Sequence, residues 1–292
     1  MVYENKNKSI ISQIMSVLHD INSNIKNIFR CVNKKQGNDM SCPYMEMDET
    51  KIHKGYSIVI NDDIKIRQPY LGEIVDYGES KYYGMIADLC AVGADLKWQL
   101  DDVGIDYTKI EDYDLFCVFI SRLFNADRTS ILFGDEIDFS KMSVVYDESI
   151  SENVLIQHFD NRQNIRIDRY AYSSIVSVLR KMHRMKRNDE MPGNEATRLF
   201  LIEDAREEYE DNKDKPYKPY LLNLISAMVN SKEFKRDDVT VYDMKICAFM
   251  DSVYRIAKIK TSELLLMSGY SGFGIDLKKI SKDDTNWMGE LK

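Results

Sequence analysis

The sequence predicts an α+β protein, predominantly α-helical, with a small antiparallel β-sheet in the middle of the chain. Three observations carry that expectation. Apolar residues recur at three- and four-residue intervals through most of the chain, the spacing of one helix face. Short β-branched runs broken by polar turns cluster in the middle, the signature of brief strands. Hydrophobic residues make up 44% of the 292 and charged residues 30%, with eighteen Tyr and eleven Phe, which provides a core and excludes a disordered chain.

Residues 9 to 30 place Ile10, Ile14, Val17, Leu18, Ile21, Ile25 and Ile28 on one side of a helix. The polar stretch Asn33 to Asp39, with Gly37, follows as a linker, so residues 1–44 form an appendage. Its apolar face has two outlets: the body of the protein, or a second copy in a homo-oligomer. A second region, 45–128, opens with a hairpin pattern, Ser57-Ile58-Val59-Ile60 and Ile64-Lys65-Ile66-Arg67 around Asn61-Asp62-Asp63. Pro69 ends it, and Leu71 to Leu89, Asp95 to Val103 and Glu111 to Phe124 give three helical patterns separated by Gly93 and Gly104.

In the third region, 129–194, the runs Ile131-Leu132-Phe133, Met142 to Tyr146 and Val154-Leu155-Ile156 are expected to form the small sheet. A basic helix from Arg169 to Met185 follows, with Asp168 as its N-cap. The fourth region, 195–292, carries helical patterns over Glu195 to Asp211, Tyr220 to Asn230 and Thr240 to Met267. The cluster Gly269-x-x-Gly272-x-Gly274 comes after a helix and lacks a following Lys-Ser/Thr, so it is expected to end that helix and not to cradle a phosphate.

Forty Lys and Arg stand against forty-eight Asp and Glu, giving a net charge of −8, which argues against a general nucleic-acid or membrane binder. The first thirty residues lack the apolar core of a signal peptide, and no apolar run approaches the roughly 20 residues a bilayer requires. A cytoplasmic location is expected. Cys31, Cys42, Cys90, Cys117 and Cys247 form no Cys-x-x-Cys pair and are expected as reduced thiols. His19, His53, His158 and His183 are isolated, with no His-Glu-x-x-His, so no resident metal and no cofactor are expected. The acidic run Glu203-Asp204, Glu207-Glu208, Glu210-Asp211 is expected to be a solvated helix face, and Asp135-Glu136-x-Asp138 a polar turn. No nucleophile elbow or comparable catalytic signature occurs, so the chain is not expected to be an enzyme.

One region is distinctly basic. Between residues 162 and 187 it gathers Arg162, Arg166, Arg169 and then Arg180, Lys181, Arg184, Lys186 and Arg187. The last five, Arg180, Lys181, Arg184, Lys186 and Arg187, are the candidate phosphate contacts of an alternative function, a nucleic-acid-binding regulator. The competing explanation is that cations gather at a helix C-terminus because the helix dipole favours them there.

Two blocks resemble a family of tail morphogenesis proteins from tailed phages and prophages of Gram-positive bacteria. The first is Gln68-Pro69-Tyr70-Leu71-Gly72-Glu73-Ile74-Val75-Asp76-Tyr77-Gly78-Glu79, continued by Asp101 to Tyr107 and Asp112 to Phe116. The second runs from Lys213-Asp214-Lys215-Pro216-Tyr217 through Phe249 to Arg255 and on to Gly269-Tyr270-Ser271-Gly272. The resemblance covers residue 50 to the end. It implies a tail assembly chaperone or accessory tail protein that binds other tail proteins, the tape-measure protein first among them, and is virion-associated if it stays in the particle. The fifteen Met would suit adaptable contacts of that kind.

Overall fold

Why the chain folds as it does is clearest at its punctuation. The computed structural model describes residues 48–271, 274 and 276–291; the appendage 1–44, with its helix, Cys31, Cys42 and His19, lies outside the described residues. The protein is α+β and mostly helical, with eleven helices, a two-stranded hairpin and a three-stranded antiparallel sheet among the described residues.

A short helix α1 (Glu49–His53), capped by the Asp48 carboxylate, precedes the hairpin. The strands β1 (Ile58–Val59) and β2 (Lys65–Ile66) pair Ile58 with Ile66 and Val59 with Lys65. The Asn61 side chain closes their loop by accepting from the backbone of Asp63 and Ile64. The pattern Leu71 to Leu89 divides at Gly78, whose φ of 97° an L side chain resists, giving α2 (Leu71–Tyr77) and α3 (Glu79–Leu89). A 3₁₀ turn, Gly93–Leu96, leads into α4 (Lys97–Asp102). Helix α5 (Asp112–Leu115) runs on through a wholly buried π-helical turn, Phe116–Ile120.

The run Ile131-Leu132-Phe133, expected as a strand, is instead the end of α6 (Ala126–Phe133). Asn125 caps that helix by accepting from the Arg128 N–H, and Gly134, at φ 74°, stops it. The sheet is therefore β3 (Ser143–Asp147), β4 (Glu152–Gln157) and β5 (Ile165–Ile167), in that order, with Val145 opposite Val154 and Leu155 opposite Ile167. Helix α7 (Arg169–His183) starts at the expected cap, the Asp168 carboxylate accepting from the Ala171 N–H at 2.9 Å.

The last part holds α8 (Glu195–Asn212), α9 (Leu221–Val229), α10 (Ile246–Tyr270) and α11 (Lys282–Thr285). Backbone bonds between Leu71 and Met244 and between Ile246 and Pro69 dock the start of α10 beside the hairpin. One continuous set of buried side chains runs from Ile58 to Met250, so regions 45–128, 129–194 and 195–292 share a core. At its centre the Phe116 and Tyr172 rings stack at 4.6 Å, and Tyr113 donates to the Ile167 carbonyl, tying α5 to β5.

Candidate functional site

Two features stand out: a cleft whose lining includes Arg180, Lys186 and Arg187 of the basic region, and an apolar strip on α10. The cleft, about 410 Å³, lies between the end of α3, the Gly93–Leu96 turn with the start of α4, the segment after α7, and the C-terminal half of α8. Its fold-level support begins at Gly93, which presses so close to the 107–110 segment that a Cβ there would stand 2.3 Å from the Tyr107 carbonyl oxygen. On the opposite wall, Arg184 ends α7 in the left-handed region, φ 51° and ψ 38°, and the Met185 N–H bonds back to the Arg180 carbonyl. That turn sends Met185, Lys186, Arg187 and Asn188 along the cleft.

The five candidate cations do not share one face. Arg180, Lys186 and Arg187 line the cleft, whereas Lys181 and Arg184 line a second, smaller hollow of about 100 Å³ beside Glu49 and Asp251. Lys181 pairs with Glu49; Arg184 lies 3.9 Å from Asp251 and over the Tyr254 ring. Arg187 is held by Asp112 and Asp189. Upstream, Arg162 pairs with Glu136, Arg166 with Asp147, and Arg169 with Glu111 and Glu152. Folding thus spends most of this positive charge on the protein's own carboxylates.

Arg180 and Lys186 differ. The Arg180 guanidinium donates to the Cys90 carbonyl at 2.8 Å and, like the Lys186 ammonium, has no carboxylate within ion-pair distance among the described residues. The α8 wall is held by two polar contacts and an aromatic one: Arg206 grips Asp102 in a two-point contact, Arg198 reaches Asp101, and Tyr209 packs against the Trp98 ring at 5.2 Å, while Ile202 alone is buried among the residues of α8. The acidic run of α8 is a solvent-facing surface, as expected, and Asp138 closes a turn onto Ser140.

The strip on α10 was not among the sequence candidates. The helix extends about 37 Å, yet its buried residues are Ile246, Phe249 and Met250 at one end and Ser262 further on. Ser262 donates to the Asp284 carbonyl, and Arg255 to those of Trp287 and Gly289, so residues 284–290 run back along the helix. Beyond them Leu264, Met267 and Tyr270 stand 67%, 70% and 80% exposed at three-residue spacing. The signal was present in Leu264-Leu265-Leu266-Met267, a run that exceeds what one buried face needs.

Among the described residues, several buried titratable groups are shifted chiefly by their burial. Burial pushes the Cys117 thiol up to about 12, with the nearby Tyr113 hydroxyl opposing. Burial also raises Asp114, with Arg169 opposing. The Tyr82 hydroxyl and the His183 Nε2 lie 2.8 Å apart, and His183 Nδ1 faces the Leu179 carbonyl at 2.8 Å, which fixes the ring between α3 and α7 as a structural tie. Among the described residues no three His, Cys, Asp or Glu side chains gather as a metal site, and no helix is long and apolar enough to cross a membrane. Comparison with known proteins finds no matching family model, curated protein or solved structure.

Proposed function

We propose that the protein works by binding another protein, as an assembly chaperone or accessory component of a phage tail, without a cofactor and without catalysis. The observation that carries this reading is the strip Leu264, Met267 and Tyr270 on the end of α10. Each such side chain forgoes on the order of 1.5–3 kcal/mol of burial free energy while it faces water, a cost that is recovered when a partner covers it. Three-residue spacing on a helix matches the ridges of another helix. The occupant is therefore an apolar-striped helical segment, the chemistry of a tape-measure protein before the tail tube encloses it.

The test is co-expression with the tape-measure protein of the same phage, followed by size-exclusion chromatography with light scattering. A stable complex is expected for the parent and its loss for Leu264→Asp with Met267→Asp, two exposed positions whose replacement leaves the thermal unfolding of the free protein unchanged. No complex, or one indifferent to the double substitution, refutes the proposal.

A further inference from the structure

We infer that the cleft between α3, α4, α7 and α8 is a binding site for a small organic phosphate carrying a planar ring, of about mononucleotide size. Its volume, about 410 Å³, falls within the range of roughly 300–1,000 Å³ typical of small-ligand sites. The lining carries five cations, Lys97, Arg180, Lys186, Arg187 and Lys213, and three carboxylates, Asp88, Asp95 and Glu208. Three of those cations are neutralised locally, Lys97 by Glu190, Arg187 by Asp112 and Asp189, and Lys213 by Glu210.

Two cations, Arg180 and Lys186, remain without a carboxylate among the described residues. Asp88 is itself neutralised by Arg128, Asp95 accepts from the Asn188 amide and the Val92 N–H, and Glu208 stands on the exposed rim. A guanidinium and an ammonium that line one cleft without carboxylate partners suit a dianion with several acceptor oxygens, which is the chemistry of a phosphate monoester. The Arg180 fork is already anchored on the Cys90 carbonyl at 2.8 Å, so it is oriented before a ligand arrives. Trp98 and Tyr209 give the same cleft an aromatic wall for the ring.

A polynucleotide fits the same charges poorly. Lys181 and Arg184 are turned to the other side of α7 and face Glu49 and Asp251, which breaks the row of cations a phosphate backbone follows.

The experiment is isothermal titration calorimetry of the full chain with adenosine monophosphate, with adenosine, inorganic phosphate and a 20-nucleotide single strand as parallel arms. Saturable binding of the monophosphate is expected, weaker by tenfold or more with either adenosine or inorganic phosphate. Lys186→Glu, at an exposed position, is expected to weaken it about tenfold, and Ala205→Leu, which enlarges the α8 wall and leaves every charge in place, to weaken it as well; circular dichroism melts confirm that both variants are folded. No saturable heat with the monophosphate overturns the inference, as does binding indifferent to both substitutions, or an oligonucleotide that binds more tightly than the monophosphate and is insensitive to Ala205→Leu.

Discussion

Replacing Glu79 is expected to loosen the last third of the protein from its body. One carboxylate oxygen, Oε1, accepts from the Tyr217 hydroxyl at 2.7 Å, the Tyr220 N–H at 2.6 Å and the Leu221 N–H at 2.8 Å. Glu79 opens α3, and Leu221 opens α9, so the contact bridges about 140 residues of chain and places a negative charge on a helix N-terminus. Burial, then the bond to Glu79, holds the Tyr217 phenol above its ordinary range, so it stays a donor at any pH the fold tolerates. Hydrogen bonds to a charged group contribute about 1.5–3 kcal/mol each, and orphaned donors near water recover part of that. Glu79→Ala should therefore cost about 2–4 kcal/mol, and Glu79→Gln, which keeps an acceptor but loses the charge, about 1–2 kcal/mol. Urea unfolding followed by tryptophan fluorescence measures both. Tyr217→Phe made in the Glu79→Ala background should cost less than in the parent, a coupling of at least ~0.5 kcal/mol. A loss below about 0.5 kcal/mol for Glu79→Ala, or strict additivity with Tyr217→Phe, would refute the clamp.

Gly93→Ala puts a methyl group 2.3 Å from the Tyr107 carbonyl oxygen and 3.2 Å from Ile110 Cγ2, and overpacking of this kind costs ~1–3 kcal/mol or more, visible as a lower Tm. Burial opposes ionisation of Asp106, but the Lys109 ammonium and the Thr108 hydroxyl and N–H outweigh it and hold the carboxyl at about 2. Its stabilisation is thus complete above the unfolded value near 3.8 and is lost as pH falls toward 2; Asp106→Asn should be less stable than the parent by about 1–2 kcal/mol at pH 7, the gap closing below pH 3 in urea titrations. With burial pushing its thiol up to about 12, Cys117 should escape alkylation at pH 8 in the native protein and react fully in urea, as peptide mapping will read. Arg206→Gln removes the two-point grip on Asp102 and should cost under ~1 kcal/mol globally while speeding amide exchange across α8; unchanged exchange would mean that the ion pairs do not hold that wall.

What was legible in the sequence was whatever local chemistry decides. The hairpin around Asn61, the Asp168 cap and the helices Glu195–Asn212 and Leu221–Val229 follow from short-range signals and stand where they were expected, whereas the pattern from Thr240 breaks into a 3₁₀ turn, Thr240–Asp243, before α10 starts at Ile246. Ile131-Leu132-Phe133 was misassigned because a three-residue apolar run fits a strand or a buried helix turn equally; the deciding residue was Asn125, six positions upstream. Strand β5 was missed because Ile165-Arg166-Ile167 is too short to signal by itself and exists through its pairing with β4. The basic region was visible as a composition, but which of its cations remain without a carboxylate depends on acidic partners up to 132 residues away, from Glu49 to Asp251. The cleft likewise draws its walls from residues 87 to 213, a convergence no local pattern encodes.

Docking of a partner on the end of α10 would show in amide hydrogen exchange of the protein alone and with the tape-measure protein. Protection confined to α10 from Ser262 to Tyr270, and absent in the Leu264→Asp, Met267→Asp variant, is the predicted result. Exchange over that segment unchanged by the partner, or protection mapping instead to other helices, would contradict it.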